Sequence, residues 1–277
     1  MRAKINGLDL FFEVKGEGRP ILLIHGFPLN HKLWEPQISA LVKAGFKVIT
    51  PDLRGFGESE APADSYSMDL FSDDLAGLLD FLKIERAIIG GMSMGGYILL
   101  NFMERYPDRI EKAILMVTRP GGDTEAGREW RTSLMEKARQ GDKEAVVKAF
   151  EVVLFEEESF AKRRDLVDLV RSWMRATPVN GMVGGLMAMR DRKDYKSLLP
   201  ELTTPTGVIV AELDKAVKLE LAKEFEKLPQ HKFVVLKGAG HMVNMERPEI
   251  LNRALVEFLK ICKGIASKNN FQLVLTV

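Results

Sequence analysis

The fold is decided by Gly91-Met92-Ser93-Met94-Gly95, a stretch that lies between a short apolar run and a segment with helical spacing. The run at 87–90 predicts a buried strand, and residues 96–103 predict a helix. A Gly-x-Ser-x-Gly sequence at such a junction is typical of a nucleophile elbow, where a sharp turn pushes the serine hydroxyl outward. The alternative is a serine that merely caps a helix packed on a sheet.

The composition is that of an ordinary globular protein, with 277 residues, 46% apolar, 29% charged and a net charge of +1. This length suits one large α/β domain, or one domain with an insertion. The charge gives no indication of a nucleic acid or an anionic membrane as partner. Residues 1–7 lack the apolar segment of a signal peptide, and Cys262 is the only cysteine. We therefore expect a cytoplasmic protein in which Cys262 is a buried helix residue rather than a catalytic thiol.

Strands alternate with helices on both sides of the elbow. Residues 2–15 predict a hairpin that turns at Asn6-Gly7. Further strands are predicted at 20–25, 47–50, 87–90, 113–117, 207–211 and 233–236, and helices at 31–44, 68–82, 96–103, 217–228 and 247–263. This alternation indicates an α/β fold with a mostly parallel sheet, covered by helices on both faces.

The alternation stops between residues 121 and 200, where no convincing strand occurs. Four helices are predicted there, near 124–139, 142–155, 159–175 and 179–190. We interpret this stretch as a helical cap, or lid, inserted into an α/β core of residues 1–120 and 201–263. Three glycines, Gly181, Gly184 and Gly185, weaken the last helix and indicate a mobile lid segment.

Two charge clusters, at 156–158 and 162–164, are expected on solvated faces of the cap. The tail, residues 264–277, is interpreted as an appendage, with an added edge strand or an oligomer contact as the alternatives.

Three residues suit a serine-based catalytic site, in which a base activates the serine and an acid orients the base. The base is predicted to be His241, in a Gly-rich loop after the last strand, where open α/β sheets build their sites. The acid is predicted to be Asp214, after the penultimate strand. We expect His31 and His231, beside helix starts or turns, to be solvated. The chain order Ser93, Asp214, His241 is the order found in α/β-hydrolases.

The oxyanion hole is predicted from the backbone N–H groups of Phe27 and Met94. Gly26 allows a close backbone approach there, and His25 is expected to be a structural hydrogen-bonding residue rather than a second base. The candidate substrate-pocket residues are His25, Gly26, Met182, Leu186, Met187 and Met242. The methionine-rich stretch that contributes three of them equally fits simple packing of the cap on the core.

The chain resembles the α/β-hydrolase superfamily, in its compact esterase and lactonase branch, through segments 25–28, 52–59, 91–97 and 238–241. Its Ser-Met-Gly-Gly elbow is similar to those of 3-oxoadipate enol-lactonases, small carboxylesterases, cofactor-free haloperoxidase-like esterases and C–C bond hydrolases. The resemblance implies an α/β-hydrolase fold over residues 5–263. Haloalkane dehalogenases and epoxide hydrolases of this fold carry Asp at the elbow, so Ser93 argues against both.

One departure from the family pattern concerns the loop of the acid. The family usually has Gly-x-x-Asp after the penultimate strand and a proline soon afterwards, whereas this chain has Ala211 and Lys218 near those places. Glu212 and Asp123 are therefore alternative acids. The Gly55-Phe56-Gly57 stretch lacks the third glycine of a dinucleotide loop, and we interpret it as a tight loop at the floor of the site.

We expect a serine hydrolase that cleaves carboxylic esters of small to medium, largely apolar substrates through an acyl-enzyme, with no metal and no cofactor. A lactonase or enol-lactonase is the second hypothesis, and a C–C bond hydrolase or perhydrolase the third. Outside enzymes, the alternative is a hydrolase-fold receptor for a small ligand. The expected partner is a small-molecule ester, not a nucleic acid or a membrane, and the expected state is a monomer or homodimer.

Overall fold

A nine-stranded sheet forms the centre of the computed structural model, which describes residues 1–63, 66–260 and 273–275. The strands are β1 (Arg2–Ile5), β2 (Leu8–Lys15), β3 (Arg19–Ile24), β4 (Phe46–Pro51), β5 (Ala87–Met92), β6 (Ile110–Met116), β7 (Thr206–Ala211), β8 (His231–Leu236) and β9 (Leu273–Leu275). Their order is β1-β2-β4-β3-β5-β6-β7-β8-β9. The pairs β1–β2 and β2–β4 are antiparallel and the others are parallel, which confirms the mostly parallel sheet.

The hairpin between β1 and β2 forms where the sequence predicts it. Asn6 and Gly7 both have positive φ angles, 50° and 81°, as a two-residue type I′ turn requires. Strands β1 and β2 thus add an antiparallel edge to the parallel sheet.

Helices cover both faces of the sheet. The helices of the core are α1 (Glu35–Lys43), α2 (Met68–Phe81), α3 (Met94–Arg105), α9 (Leu219–Ala222), α10 (Val243–Glu246) and α11 (Pro248–Lys260). Helix α1 packs on α11 and β4, whereas α2 packs on α3, which in turn packs on β5 and β6. The Ser67 side chain caps α2 by accepting a hydrogen bond from the Leu70 N–H at 3.1 Å.

Five helices, not the four predicted, lie between β6 and β7, and residues 121–200 are called the helical insertion below. They are α4 (Glu125–Arg139), α5 (Lys143–Leu154), α6 (Glu157–Lys162), α7 (Arg164–Ala176) and α8 (Val179–Arg190). The predicted third helix is divided at Arg163, whose φ and ψ of −128° and 47° are not helical. Thr124 and Asp142 cap α4 and α5 through their side-chain oxygens.

The three glycines of α8 do not break that helix, which is continuous over the predicted residues, Val179–Arg190. A Cβ on Gly181 would lie 1.7 Å from the Gly55 carbonyl oxygen, and one on Gly184 would lie 2.3 Å from the Tyr66 ring. A Cβ on Gly185 would lie 2.7 Å from the Phe27 ring. The glycines therefore let α8 pack closely against the core, at some loss of intrinsic helix propensity.

One predicted helix near the C-terminus is interrupted. Instead of one helix over 217–228, α9 is followed by a 3₁₀ turn at Lys223–Lys227. The closing helix, predicted from residue 247, begins at Pro248 and is continuous to Lys260. The short helix α10 precedes it, and Pro248, which has no N–H, separates the two.

The C-terminal tail is described only in part. Its backbone at Leu273–Leu275 pairs in parallel with β8, while Cys262 and the rest of the tail lie outside the described residues. Among the helices of the described residues, none combines the length and the apolar character needed to cross a membrane.

Candidate active site

The end of β3 meets the end of β5 at the point where the strand order reverses, the usual place for a site in an open α/β sheet. Ile24 is opposite Gly91 in the register of these strands. A Cβ on Gly26 would lie 3.3 Å from the Met92 carbonyl oxygen and 3.4 Å from the Ser93 Cβ. The loop after β3 therefore lies directly against Ser93.

Ser93 occupies a strained position between β5 and α3. Its φ and ψ are 54° and −114°, a sparsely populated combination for a residue with a side chain. Its N–H donates to the Met116 carbonyl at 3.0 Å, and its carbonyl accepts from the Thr118 hydroxyl at 2.9 Å. Contacts to β6 and to the loop after it therefore hold the turn in place.

Two glycines make the turn sterically possible. A Cβ on Gly91 would lie 2.2 Å from the Gly95 carbonyl oxygen, and one on Gly95 would lie 2.3 Å from the Ile24 carbonyl oxygen. Both distances are too short for a real Cβ, so the spacing of the glycines in the sequence follows from the geometry of the bend.

Asp214 and His241 form a buried pair at the ends of β7 and β8. Asp214 Oδ2 lies 2.8 Å from His241 Nδ1, and each side chain is 1% exposed. The other carboxylate oxygen accepts the N–H groups of Ala216 and Val217, both at 2.8 Å. The carboxylate thus has a fixed orientation, and it directs the Nε2 side of the imidazole away from itself.

The loop of Asp214 is hydrogen-bonded to the loop of His241, although this chain has Ala211 where the family usually has glycine. The Leu213 N–H donates to the Ala239 carbonyl at 2.8 Å. The Gly238 N–H donates to Glu212 Oε2 at 3.0 Å, which leaves Glu212 exposed on the outside of the loop. Glu212 therefore braces the two loops.

Asp123, the other alternative acid, is held by three arginines instead of a histidine. Its carboxylate binds Arg119 at 2.8 Å, Arg131 at 2.5 Å and Arg192 at 2.7 Å. Burial raises the pKa of Asp123, but the charges of Arg131 and Arg192 outweigh it and place the pKa below its usual value. This carboxylate joins Arg119, in the loop after β6, to Arg131 and Arg192 of the helical insertion.

His25 is fully buried and uses both ring nitrogens to hold backbone. Nδ1 lies 2.9 Å from the Gly26 carbonyl oxygen, and Nε2 accepts the Leu53 N–H at 3.1 Å. The ring is therefore the neutral Nδ1–H tautomer. It packs edge-on against Phe56 of the 55–57 loop. Burial lowers the pKa of His25 to about 4, against an opposing contribution from Asp52.

We expect His25 to stay neutral down to about pH 4. Its native pKa lies below the unfolded value, so its contribution to the free energy of unfolding is present above pH 6.5 and lost as the pH falls towards 4. The loss amounts to about 3 kcal/mol. An imidazole ¹⁵N NMR titration measures the tautomer and the midpoint together. Protonation of His25 near pH 6.5 would contradict this assignment.

The prediction of a solvated His31 was wrong. The residue is buried, and its Nδ1 and backbone N–H lie 2.8 and 2.7 Å from Asp52 Oδ1. Burial raises the pKa of Asp52, but the hydrogen bond from His31 and the nearby imidazoles place it below its usual value. His231, at the start of β8, is only partly buried, and its Nδ1 lies 2.7 Å from the Leu228 carbonyl.

The two backbone donors predicted for the oxyanion hole flank Ser93. Met94 is the first residue of α3, and Phe27 follows Gly26 in the loop that lies against Ser93. Within the described chain, neither N–H donates a hydrogen bond to another protein group. The Phe27 ring contacts Phe150 of α5, with centroids 4.7 Å apart, which places α5 beside this loop.

The remaining candidate pocket residues are mostly buried. Met182, Leu186 and Met242 have no exposed surface, and Met187 is partly exposed. The Met242 N–H donates to the Leu154 carbonyl of α5 at 3.1 Å. The loop of His241 is therefore bonded directly to the helical insertion.

One of the acidic residues expected on a solvated face is buried. Glu157 and Glu158 are exposed as predicted, but Glu156 is 8% exposed. The sequence contains one indication that Glu156 is buried, because Phe155 and Glu156 directly follow the apolar end of α5. The cluster at 162–164 is exposed as expected.

Comparison with known proteins places this geometry in a family. Residues 19–248 match the family described as the alpha/beta hydrolase fold. The AB hydrolase superfamily protein YisY of Bacillus subtilis is 30% identical over 91% of this chain and 95% of its own length. A thermophilic esterase from Thermogutta terrifontis is 35% identical and superposes with a TM-score of 0.90, covering 94% of this chain and 98% of its own. The enol-lactonase from Burkholderia xenovorans is 28% identical, with a TM-score of 0.88 over 94% and 100%. Sequence and fold agree, and the chain belongs to the α/β-hydrolase family.

Proposed function

We propose that this hydrolase cleaves carboxylic esters with Ser93 as nucleophile, His241 as base and Asp214 as the acid that orients the base. The observation that carries the proposal is the strained serine at the reversal of the strand order, on the same edge of the sheet as the buried Asp214–His241 pair. A serine hydroxyl needs such a base before it attacks a carbonyl, and the base needs an orienting group.

In the proposed reaction, Ser93 Oγ attacks the ester carbonyl while His241 Nε2 takes its proton. Two backbone donors, the N–H groups of Phe27 and Met94, stabilise the oxyanion that forms. The protonated imidazole then donates its proton to the leaving alcohol. A water molecule, deprotonated by His241, hydrolyses the acyl-enzyme and restores Ser93.

The position of Met94 adds to this proposal. It is the first residue of α3, a twelve-residue helix, and the first N–H groups of a helix have no partner within it. The positive end of the helix dipole lies at the same place and favours a developing negative charge.

We propose that the helical insertion is a cap over this site and that it selects small to medium, largely apolar substrates. The contact between Phe27 and Phe150 supports this placement, as do the apolar side chains of α8. The names of two similar structures, an esterase and an enol-lactonase, make an ester the first candidate substrate and a lactone the second.

A substrate panel tests the proposal. We expect turnover of chromogenic esters of short to medium acyl chains, and a parallel series of lactones decides whether cyclic esters are preferred. Saturable binding of these compounds with no turnover of any of them would support the receptor alternative. Inactivation by an organophosphonate should label Ser93, as mass spectrometry of the peptide can establish.

The pH dependence of the reaction follows from the need for a neutral His241. For a non-ionising ester, we expect kcat/KM to fall tenfold per pH unit on the acid side of a single transition. His25 cannot cause that limb, since its pKa is about 4. Circular dichroism at each pH separates inactivation from unfolding. Because backbone N–H groups meet the developing charge, the rate should not change in EDTA. A rate that stays flat to about pH 4 would point to a carboxylate base.

A further inference from the structure

Two glutamates that the proposed reaction does not use meet where the helical insertion contacts the loop of His241. Glu156 lies between α5 and α6, and Glu246 ends α10, five residues after His241. They are 8% and 4% exposed. Carboxylates buried to this extent normally have a cationic partner or a full set of hydrogen bonds.

One of the four carboxylate oxygens of this pair is well bonded. Glu246 Oε1 accepts the Glu156 N–H at 3.1 Å and the Ser159 hydroxyl at 2.5 Å. These bonds join α10 to the start of α6, across 87 and 90 residues of chain. They fix the orientation of the Glu246 carboxyl group.

Two of the other three carboxylate oxygens are orphaned. Glu156 Oε1 and Glu246 Oε2 are buried and have no hydrogen-bond partner within the described protein. Both face Gly240, the residue before His241. A Cβ on Gly240 would lie 3.4 Å from Glu156 Oε1 and 3.0 Å from Glu246 Oε2. Both oxygens thus lie beside Gly240, whose backbone N–H favours the ionised form of Glu156, but neither oxygen has a donor in hydrogen-bond geometry among the described residues.

The charge of Arg247 offsets the pair only in part. It lowers the pKa of Glu156, and its Nε is buried without a hydrogen-bond partner among the described residues, while its Nη2 lies 3.4 Å from the exposed Glu158. Glu158 in turn repels Glu156. Lys215 lies 3.7 Å from the exposed Glu157. On the loop beside the pair, the carboxylate of Asp214 is bonded to His241. Burial, and then the charge of Glu246, raise the pKa of Glu156 above its ordinary value of 4.5. Two buried carboxylates at one point cannot both be ionised cheaply.

We propose that Glu156 and Glu246 share one proton, and that this protonated pair fastens the helical insertion to the loop of His241. Loss of the proton leaves two buried negative charges beside Gly240. The contact then weakens as the pH rises, and both glutamates act as positioning residues for His241. This effect on His241 rests on the proposed function, whereas the shared proton does not.

Glutamine variants test the shared proton without using activity. In Glu246→Gln the amide Oε1 still accepts from Glu156 and Ser159, and the NH₂ group supplies a permanent donor towards Glu156. Glu156→Gln supplies the donor from the other side. Glu157→Gln, on the neighbouring exposed residue, is the matched control.

The sign of the stability effect is set by the raised pKa. The wild-type pair stabilises the fold at low pH, and this contribution is lost as the pH rises above 4.5 through the native pKa. The amide variants have no shared proton to lose, so this contribution to their stability does not change in that pH range. We therefore expect the Tm of Glu156→Gln and Glu246→Gln, relative to wild type, to increase by about 2–4 °C between pH 5 and 9. Contributions from His25 cancel in this comparison.

Carboxyl ¹³C NMR of glutamate-labelled protein gives the direct measurement. We expect one proton to remain on the pair as the pH rises above 4.5, and its signal to disappear in either variant. Relative Tm values that are independent of pH, as in Glu157→Gln, together with two carboxyl groups that both lose their protons by pH 4.5, would overturn the shared proton. Both measurements can be repeated in Ser93→Ala, so failure of the proposed catalysis does not affect them.

The positioning role has its own kinetic test. On the alkaline side, wild-type kcat should fall while KM changes less, because the orientation of His241 is disturbed rather than the substrate contacts. Both glutamine variants should keep their kcat to higher pH. If kcat fell in the same way at alkaline pH in wild type, in both glutamine variants and in the Glu157→Gln control, the two glutamates would have no role in positioning His241.

Discussion

Ser93→Ala should lower kcat for an ester substrate by roughly a millionfold while the protein remains folded. The physical reason is that the alanine leaves the elbow, the pair and the backbone donors in place but removes the only atom that bonds to the acyl group. A small residue is tolerated at the bend, because the strain at Ser93 lies in its backbone and alanine has the same Cβ. Residual activity of about 10³–10⁴ over water is expected from the oxyanion donors and substrate binding.

Thr118→Val is a matched control for this variant. It removes the hydroxyl that bonds the Ser93 carbonyl at 2.9 Å, but no reacting atom. We expect a change in kcat that is small beside the loss in Ser93→Ala. Wild-type-like turnover by purified Ser93→Ala would mean that another residue is the nucleophile.

The central fold could be predicted from the sequence because its signals are local. The hairpin at Asn6-Gly7 depends on two residues that accept positive φ, and both adopt it. The elbow needs two glycines at fixed spacing around Ser93, and a side chain at either would collide with backbone. The contact between Asp214 and His241 follows from the shared edge on which parallel strands end.

Burial of polar residues could not be predicted because it depends on partners far away in the chain. The sequence around His31 predicts an exposed helix start, but the end of β4 places Asp52 beside this residue. The sequence around Glu156 predicts an acidic surface, but α10 places Glu246 against this residue. The glycines of α8 reduce helix propensity, but the close approach of Gly55 that they permit is a tertiary contact. Local pattern and tertiary structure disagree at these residues.

Asp214→Asn should lower kcat by up to about ten-thousandfold with little change in fold. The amide has the same shape, and its oxygen can still accept from the N–H groups of Ala216 and Val217, which lie 2.8 Å from Oδ1. The group facing His241 Nδ1 would then be an NH₂ donor. It favours the tautomer with the proton on Nε2, and that tautomer cannot accept a proton from Ser93. The negative charge that stabilises the imidazolium is lost as well.

Two carboxamide variants serve as controls, because they change the alternative acids in the same way. Glu212→Gln affects an exposed brace to the Gly238 N–H, and the amide oxygen can keep that bond, so activity should stay close to wild type. Asp123→Asn removes the charge that three arginines surround, and it should cost stability first, because those arginines lose their carboxylate. Thermal melts and kcat/KM measured on the same preparations separate the two effects. A loss of kcat in folded Asp123→Asn that exceeds the loss in Asp214→Asn would move the acid to the loop after β6, and the pair at the ends of β7 and β8 would then be structural.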